Sequence, residues 1–263
     1  EVFQEIETEE KRRNFFKTVI PYSVAASLFL VLSFSVFNFF KGPEVLYTKE
    51  FNTKNKVLSN IKLPDNSIIS LDSNTILNIK YYEKTREVEL IKGKAFFSVK
   101  SNRQRPFLIN ANHTNVEVIG TKFEVVNKNN LVDVNVEEGR VKVAKIFNES
   151  KKPRILALLE KGQKVSINKY GEIDKLQDIS IRNIALWEKG KLIFKQDSLK
   201  DVMKEFSKYL DIKVEFETKL SSSYLITGEF EPNKFDNLLK SLPLIHPISI
   251  EKNSNKILIK EKF

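Results

Sequence analysis

Residues 86–99 read REVELIKGKAFFSV, and apolar side chains alternate with polar or charged ones on both sides of the glycine. The alternating apolar residues are Val88, Leu90, Ala95, Phe97 and Val99. Because successive side chains of a strand point to opposite faces, this stretch is predicted to be a strand with one face in a core. Phe96 and Phe97 cannot both face that core, so Phe96 is expected either to pack between domains or to be exposed.

The same period-two pattern, interrupted by Gly, Asn and Asp, extends from Phe51 to about Ile173. No amphipathic helical window competes with it. An all-β domain is therefore predicted, either β-solenoid-like or a sandwich, with a barrel as a third candidate. Pro64-Asp65-Asn66 is predicted to form a turn in which Asn66 takes a positive φ. Three glycines are expected at tight corners between buried strands: Gly93, Gly120 and Gly139.

The pattern changes after Gly162, where a linker-like stretch is expected to lead to Trp187. Ser198 and Asp201 then have the spacing of a capping box, which predicts the beginning of a helix. One face of this helix is apolar, and it comprises Leu199, Val202, Met203, Phe206, Tyr209 and Leu210.

A second helix is predicted further along the chain, where Asn233 and Asp236 repeat the capping spacing. Pro243 is expected to end it, because proline cannot continue a helix. Short alternating segments surround both helices in the order β-α-β-β-α-β-β. The C-terminal part is therefore predicted to be a small α+β domain, with both helices on one face of a small sheet.

Near the N-terminus, residues 18–40 read TVIPYSVAASLFLVLSFSVFNFF and contain no charge. A helix of this length is about 35 Å long, which suffices to cross a hydrocarbon core of roughly 30 Å. A buried core helix would show a polar face, and a signal peptide would have a shorter apolar run and a small-residue cleavage site. A single transmembrane helix is therefore predicted. Four cations precede it: Lys11, Arg12, Arg13 and Lys17.

The composition and the motifs offer little chemistry for catalysis. The chain has no cysteine, which excludes disulfides and thiol nucleophiles, and its two histidines, His113 and His246, are far apart in the sequence. No motif for cradling a nucleotide or activating a serine is present, so no enzyme, catalytic residue, metal site or cofactor is expected. The net charge of +10 comes from scattered lysines, so direct binding of nucleic acid is not expected either.

Five motifs, in order and spacing, resemble the FecR family of transmembrane anti-sigma regulators. They are LPDNSIISL at 63–71, REVELIKGKAFFSV at 86–99, RPF at 105–107, VIGTKF at 118–123 and VEEGRV at 136–141. Residues 187–263 are similar to the C-terminal domain that follows in members of the family from Bacteroidetes. Four residues differ from those usual in the family: Asn66 in place of Gly, Lys94 in place of Glu, Ser98 in place of Asp and Glu124 in place of Asn.

The resemblance implies four segments along the chain. Residues 1–17 would be a cytoplasmic stub, from which the sigma-binding domain of the family is expected to be missing. Residues 18–40 would cross the inner membrane once, with the N-terminus in the cytoplasm. Residues 41–178 would form the β-rich periplasmic domain, and residues 179–263 the α+β domain.

The resemblance also implies a function in signal transduction. The chain would relay a signal from an outer-membrane TonB-dependent transducer to an extracytoplasmic-function sigma factor. Its expected partners are that sigma factor, bound through the cytoplasmic region, the N-terminal signalling domain of the transducer, and membrane lipid. The alternative is a membrane-anchored periplasmic binding or scaffold protein without control of a sigma factor.

A candidate docking strand lies in the C-terminal part, which resembles the short domain found at the N-termini of secretins and TonB-dependent transducers. That domain works by docking onto another protein, and strand addition at a sheet edge would suit it. The candidate edge comprises Tyr224, Leu225, Ile226 and Thr227, which are β-prone and uncharged. An ordinary interior strand is the alternative interpretation of the same four residues.

The cations before the apolar segment generate a topology prediction. Protease added to spheroplasts is expected to digest residues 41–263 and to spare residues 1–17, because a positively charged flank stays in the cytoplasm. Immunoblots against a tag at each end would follow both regions, and detergent-lysed spheroplasts serve as the control for cleavage. Protection of the C-terminal region in intact spheroplasts would contradict this topology.

Overall fold

The computed structural model describes residues 29–36, 42–128, 130–146 and 153–262. Residues 29–36 form a helix, α1, and the rest of the expected membrane segment 18–40 lies outside the described residues, as do residues 1–17. Among the described residues, no helix is both long enough and apolar enough to span a membrane. The chain divides into two units after Glu44, and the second unit, which begins at Val45, contains the remaining elements.

The first part of the second unit consists of strands, and no helix interrupts them in its described residues. The thirteen strands are β1 (Val45–Asn52), β2 (Leu58–Lys62), β3 (Ile68–Leu71), β4 (Ile76–Tyr82), β5 (Arg86–Ser98), β6 (Phe107–Ala111), β7 (Thr114–Val118), β8 (Lys122–Lys128), β9 (Leu131–Glu138), β10 (Arg140–Lys145), β11 (Arg154–Glu160), β12 (Gln163–Ile167) and β13 (Ile173–Asp178).

These strands form two layers that share β5, the longest strand. Its first half pairs with β4 and, in parallel, with β6, and its second half pairs with β3 and β8. One layer runs β1-β4-β5-β6-β7-β10-β11, and the other runs β2-β3-β5-β8-β9-β12-β13. The inward-facing residues of both layers contribute to one hydrophobic core, so the all-β part is a sandwich rather than a solenoid. The alternating residues of β5 are all buried in it.

Gly93 lies inside β5, where the strand passes from one layer to the other, and not at a corner between strands as the sequence suggested. Its φ is +103°, and a Cβ there would lie 2.6 Å from Thr75 Cα. Only glycine fits this crossing without displacing the neighbouring chain. The predicted turn at Asn66 is present with φ +65°, and Gly139, with φ +89°, lies at the corner between β9 and β10.

The stretch after Gly162 is not a linker. It contains β12 and β13, which extend the second layer to its edge. Most side chains of β13 are exposed, because an edge strand on the outside of the sandwich has few core contacts. An exposed strand of this kind shows no apolar alternation, which is why the sequence pattern missed it.

The C-terminal unit (residues 181–262) contains the predicted order β-α-β-β-α-β-β with one added short helix, α3. Its elements are β14 (Leu192–Ser198), α2 (Leu199–Phe206), β15 (Lys213–Phe216), α3 (Lys219–Ser223), β16 (Leu225–Phe230), α4 (Phe235–Ile245), β17 (Ile248–Asn253) and β18 (Lys256–Glu261). The single small sheet that was expected is instead two. β14 pairs with β16, while β15, β18 and β17 form a three-stranded sheet in which β15 and β18 are parallel. One core joins the strands and helices.

The two helix starts differ in how they are capped. Ser198 caps α2 as predicted, and its Oγ accepts a hydrogen bond from the Asp201 amide at 3.2 Å. Asn233 does not cap α4. It lies in a 3-10 turn, Pro232–Lys234, that leads directly into the helix. Pro243 lies inside α4 rather than ending it, because a proline in the last turn removes only its own amide hydrogen bond.

Gly120, between β7 and β8, generates a stability prediction. A Cβ at this position would lie 2.7 Å from Ser101 Cα, a backbone atom that cannot rotate away. Gly120→Val is therefore expected to lower the free energy of unfolding by more than about 1 kcal/mol, measured by urea denaturation. Gly42→Val is the control, since nothing lies within 4 Å of a Cβ there. An unchanged denaturation midpoint for Gly120→Val would mean that the backbone at Ser101 can move to accommodate the side chain without loss of stability.

Candidate functional site

The sandwich and the C-terminal unit meet through an apolar contact around Trp187. This residue lies in a 3-10 turn, Leu186–Lys189, and is 4% exposed. With its neighbours Ile184 and Ala185 it packs against Phe96 of the sandwich. Phe96 therefore packs between the two parts of the chain, which is one of the two placements that its position on β5 allowed.

On the outer face of the sandwich, Phe96 lies in a row of cross-strand neighbours whose other members are polar: Ser70, Glu124 and Asn135. Phe96 is paired with Ser70 on β3 and with Glu124 on β8, and Glu124 is paired with Asn135 on β9. The indole Nε1 of Trp187 donates a hydrogen bond to Glu124 Oε1 at 2.6 Å.

The two other polar residues of the row, Asn135 and Ser70, also make hydrogen bonds at this contact. Asn135 Nδ2 donates to Glu124 Oε2 at 2.7 Å, so both oxygens of this buried carboxylate are engaged. Ser70 Oγ donates to Glu188 Oε1 at 2.5 Å. The row therefore holds the turn that carries Trp187 from both sides.

A second contact, here called the charged junction, joins the sandwich to α2 and the residues just after it. It comprises Asp72, Lys94, Lys128, Glu205, Lys208 and Tyr209. Lys94 Nζ lies 3.1 Å from carboxylate oxygens of both Asp72 and Glu205. Glu205 also pairs with Lys128 at 3.1 Å and with Lys208. The Tyr209 hydroxyl donates to Asp72 Oδ1 at 2.8 Å.

The charged junction shifts the pKa of four residues, Lys94, Glu205, Lys208 and Tyr209. Burial raises the pKa of Glu205, but the charges of Lys94 and Lys208 outweigh it and hold this pKa at about 2. Burial lowers the pKa of Lys94, but Asp72 and Glu205 outweigh it, so the net shift is upward. Burial lowers the pKa of Lys208 to about 8 in spite of Glu205. Burial and the charge of Asp72 both raise the pKa of Tyr209. At neutral pH the Glu205 carboxylate is therefore ionised among its lysines.

This arrangement of ion pairs and hydrogen bonds is suited to fixing how the sandwich and the C-terminal unit are oriented, rather than to catalysing a reaction. Buried ion pairs specify geometry well but contribute little net stability, because both charges lose water. Within the part of the chain that the structure describes, no group of three or more His, Cys, Asp or Glu side chains could hold a metal ion. His113 lies in the turn between β6 and β7, and His246 stacks on Tyr224 with ring centroids 4.6 Å apart.

The predicted docking edge occupies the beginning of β16. Tyr224 directly follows α3, and its carbonyl accepts a hydrogen bond from the Leu199 amide at 2.7 Å. Leu225 is 58% exposed and Thr227 is exposed, while Ile226, 3% exposed, faces the core. Among the described strands, β16 has β14 as its sole partner. Docking at this edge stays a prediction. Leu225 offers an outward-facing side chain for it, while the Thr227 hydroxyl already accepts a hydrogen bond from the Gln196 amide of β14 at 2.9 Å.

Sequence reasoning did not find the charged junction. Its members lie on or shortly after β3, β5, β8 and α2, so their proximity depends on strand register and on how the C-terminal unit packs against the sandwich. One signal was present, since Lys94 and Glu124 are two of the four residues that differ from those usual in the resembled family. Both contact the C-terminal unit, Lys94 through Glu205 and Glu124 through Trp187.

Two family models match the chain. The model described as FecR protein covers residues 49–142, and the model described as FecR, C-terminal covers residues 191–259. The chain belongs to the FecR family. The first match contains the sandwich side of the charged junction, and the second contains Glu205, so the junction joins the two FecR modules.

Solved structures share this FecR fold. Two crystal structures of a candidate anti-sigma factor from Parabacteroides distasonis, at 1.65 and 2.50 Å resolution, superpose with TM-scores of 0.65 and 0.66. Each has 21% sequence identity, and each comparison covers 82% of this chain and 100% of the other. At this identity the likeness establishes the fold alone. No curated protein sequence matches the chain with significance.

Glu205→Gln tests the charged junction. At pH 7 the substitution is expected to lower the free energy of unfolding by roughly 1–3 kcal/mol, because it leaves the partly buried Lys94 and Lys208 without this carboxylate. The native pKa of Glu205 is lowered from 4.5 to about 2, so its contribution is present above pH 4.5 and is lost as the pH falls towards 2. The difference between wild type and variant, measured by urea denaturation, should therefore shrink over that range.

The matched control is Glu229→Gln, which removes a partly exposed ion pair with Lys191 in the same unit. A change within about 0.5 kcal/mol is expected there, because surface pairs contribute little. A Glu205→Gln effect no larger than this control, or one that does not vary with pH, would argue against the junction as a stabilising contact.

Proposed function

We propose that this FecR-family chain regulates a sigma factor as an anti-sigma factor. Membership of the family carries the proposal, because both FecR modules are matched and the structure joins them through a specific, partly buried contact. The shared fold with the candidate anti-sigma factor from Parabacteroides distasonis supports the same assignment. The regulated protein is proposed to be an extracytoplasmic-function sigma factor, bound through the cytoplasmic region.

The proposed regulation needs a signal to cross the inner membrane. Residues 18–40 are proposed to form the single span, with the N-terminus in the cytoplasm and residues 41–263 in the periplasm. The uncharged sequence of this segment and the four cations before it support the assignment. The sandwich begins at Val45, shortly after this segment in the sequence.

The proposed input is the N-terminal signalling domain of an outer-membrane TonB-dependent transducer, docking on the C-terminal unit. The β16 edge supports this placement, because its first three residues, Leu225 to Thr227, carry no charge, whereas lysines usually blunt an exposed edge strand. Addition of a strand from the transducer would satisfy backbone groups along that edge.

Binding by a purified fragment of residues 41–263 tests this input. The fragment is expected to bind the signalling domain of the cognate transducer, and truncation after Asp178 should abolish binding. Leu225→Lys should weaken binding at least tenfold, about 1.4 kcal/mol, because charge on an edge opposes strand addition. Isothermal titration calorimetry measures each affinity.

The control is Leu176→Lys on the sandwich edge β13, since Leu176 is 55% exposed, close to the exposure of Leu225. Binding that survives the Asp178 truncation would move recognition to the sandwich. Failure of the 41–263 fragment to bind any transducer would favour the alternative of a membrane-anchored scaffold. The proposed binding of a sigma factor through the cytoplasmic region is tested separately, by whether a sigma factor co-purifies with the intact protein from membranes.

A further inference from the structure

A cleft of about 490 Å³ opens beside the charged junction, between the sandwich and α2. Five lysines contribute to its lining. The sandwich contributes Lys92, Lys94 and Lys128, and α2 with the residues after it contributes Lys204 and Lys208. Asp72 is the one carboxylate that shares the lining among the described residues.

The carboxylates near the cleft are already engaged. Glu205 is shared among three of the lysines, and Asp72 binds Lys94 and the Tyr209 hydroxyl. Within the described chain, neither Lys92 nor Lys204 has a carboxylate within 4.0 Å. Five lysines thus face two carboxylates, and the cleft has an excess of three positive charges.

Holding these lysines close together is electrostatically unfavourable, and the pKa of Lys208 reflects this repulsion. Burial and the charges of Lys128 and Lys94 all lower the pKa of Lys208 to about 8, although Glu205 acts in the opposite direction. Like charges that are crowded and partly desolvated disfavour each other. An anion in the cleft would offset this repulsion.

One wall of the cleft is fixed by amide hydrogen bonds. Asn127, 5% exposed, donates to the Leu90 and Ile91 carbonyls at 2.9 Å. Its side-chain oxygen accepts from Asn112 Nδ2 at 2.8 Å. The lysines therefore surround a cleft whose wall does not depend on a ligand for its order.

We propose that this cleft binds a small, soluble, multivalent oxyanion of the phosphate type. Its volume is in the range of small-molecule sites, roughly 300–1,000 Å³. Lysine ammonium groups bind phosphate oxygens as mobile point charges. Because Lys92 comes from β5 and Lys204 from α2, one anion would bridge the sandwich and the C-terminal unit. The occupied cleft would restrain the movement of these two parts, whether or not a sigma factor is regulated.

Calorimetry with inorganic diphosphate tests the site on the full 263-residue chain in detergent, with sodium chloride holding the ionic strength constant. We expect a dissociation constant of about 1 mM or lower for the wild type. Lys92→Gln combined with Lys204→Gln should weaken binding at least tenfold. These two lysines are exposed and lie outside the ion pairs of the junction, so the variant should fold.

The matched control is Lys84→Gln combined with Lys200→Gln, which removes the same charge from two exposed positions outside the cleft. Its affinity should equal that of the wild type. Diphosphate should also raise the melting temperature of the wild type and of the control, but not that of the cleft variant. Equal affinity in both double variants, or no binding to the wild type up to about 10 mM, would overturn the proposal.

Discussion

The structure depends on the passage of one strand, β5, through both layers of the sandwich. At Gly93 the strand changes layer so close to Thr75 that a side chain would lie 2.6 Å from its Cα. Beyond this point Ala95 and Phe97 face the core, while Lys94 and Phe96 face outwards. One strand thereby supplies both the interior of the sandwich and the surface on which the C-terminal unit rests. These two outward residues each take part in one contact with the C-terminal unit. Phe96 packs on Trp187 in the apolar contact, and Lys94 pairs with Glu205 in the charged junction.

The interior face of this arrangement could be predicted from the sequence, and the exterior face could not. Alternation is a local property, so the buried residues of β5 follow from the sequence alone. The outer row of Ser70, Phe96 and Glu124 depends on which residues of three strands are paired, and that register is non-local. The same limit hid β13, whose exposed side chains carry no pattern, and the two-sheet arrangement of the C-terminal unit. Local rules failed at Asn233 as well, because a 3-10 turn took the place of a cap.

The two contacts differ in what they contribute. The apolar contact around Trp187 removes hydrocarbon surface from water and so favours association of the two parts. The charged junction must offset the desolvation of Glu205 and three lysines, so its net contribution is smaller and depends on ionisation. Together the two contacts fix the orientation of the C-terminal unit on the sandwich, but they do not bind it so strongly that the two parts could not separate. This combination suits a chain that is proposed to pass a signal from one module to the other.

The route from the proposed docking edge to this joint is short. Ile226, on β16, is buried in the same core as Val202, Met203 and Phe206 of α2. Glu205 lies on that helix between two of these core residues and reaches the sandwich through Lys94. A partner strand that shifted β16 as it paired with the free edge would have to repack the core face of α2, and a small rotation of the helix would move the carboxylate away from its lysines. Close packing favours discrete rearrangements over gradual ones, so a shift of β16 that rotated α2 would be coupled to release of Glu205 from its lysines.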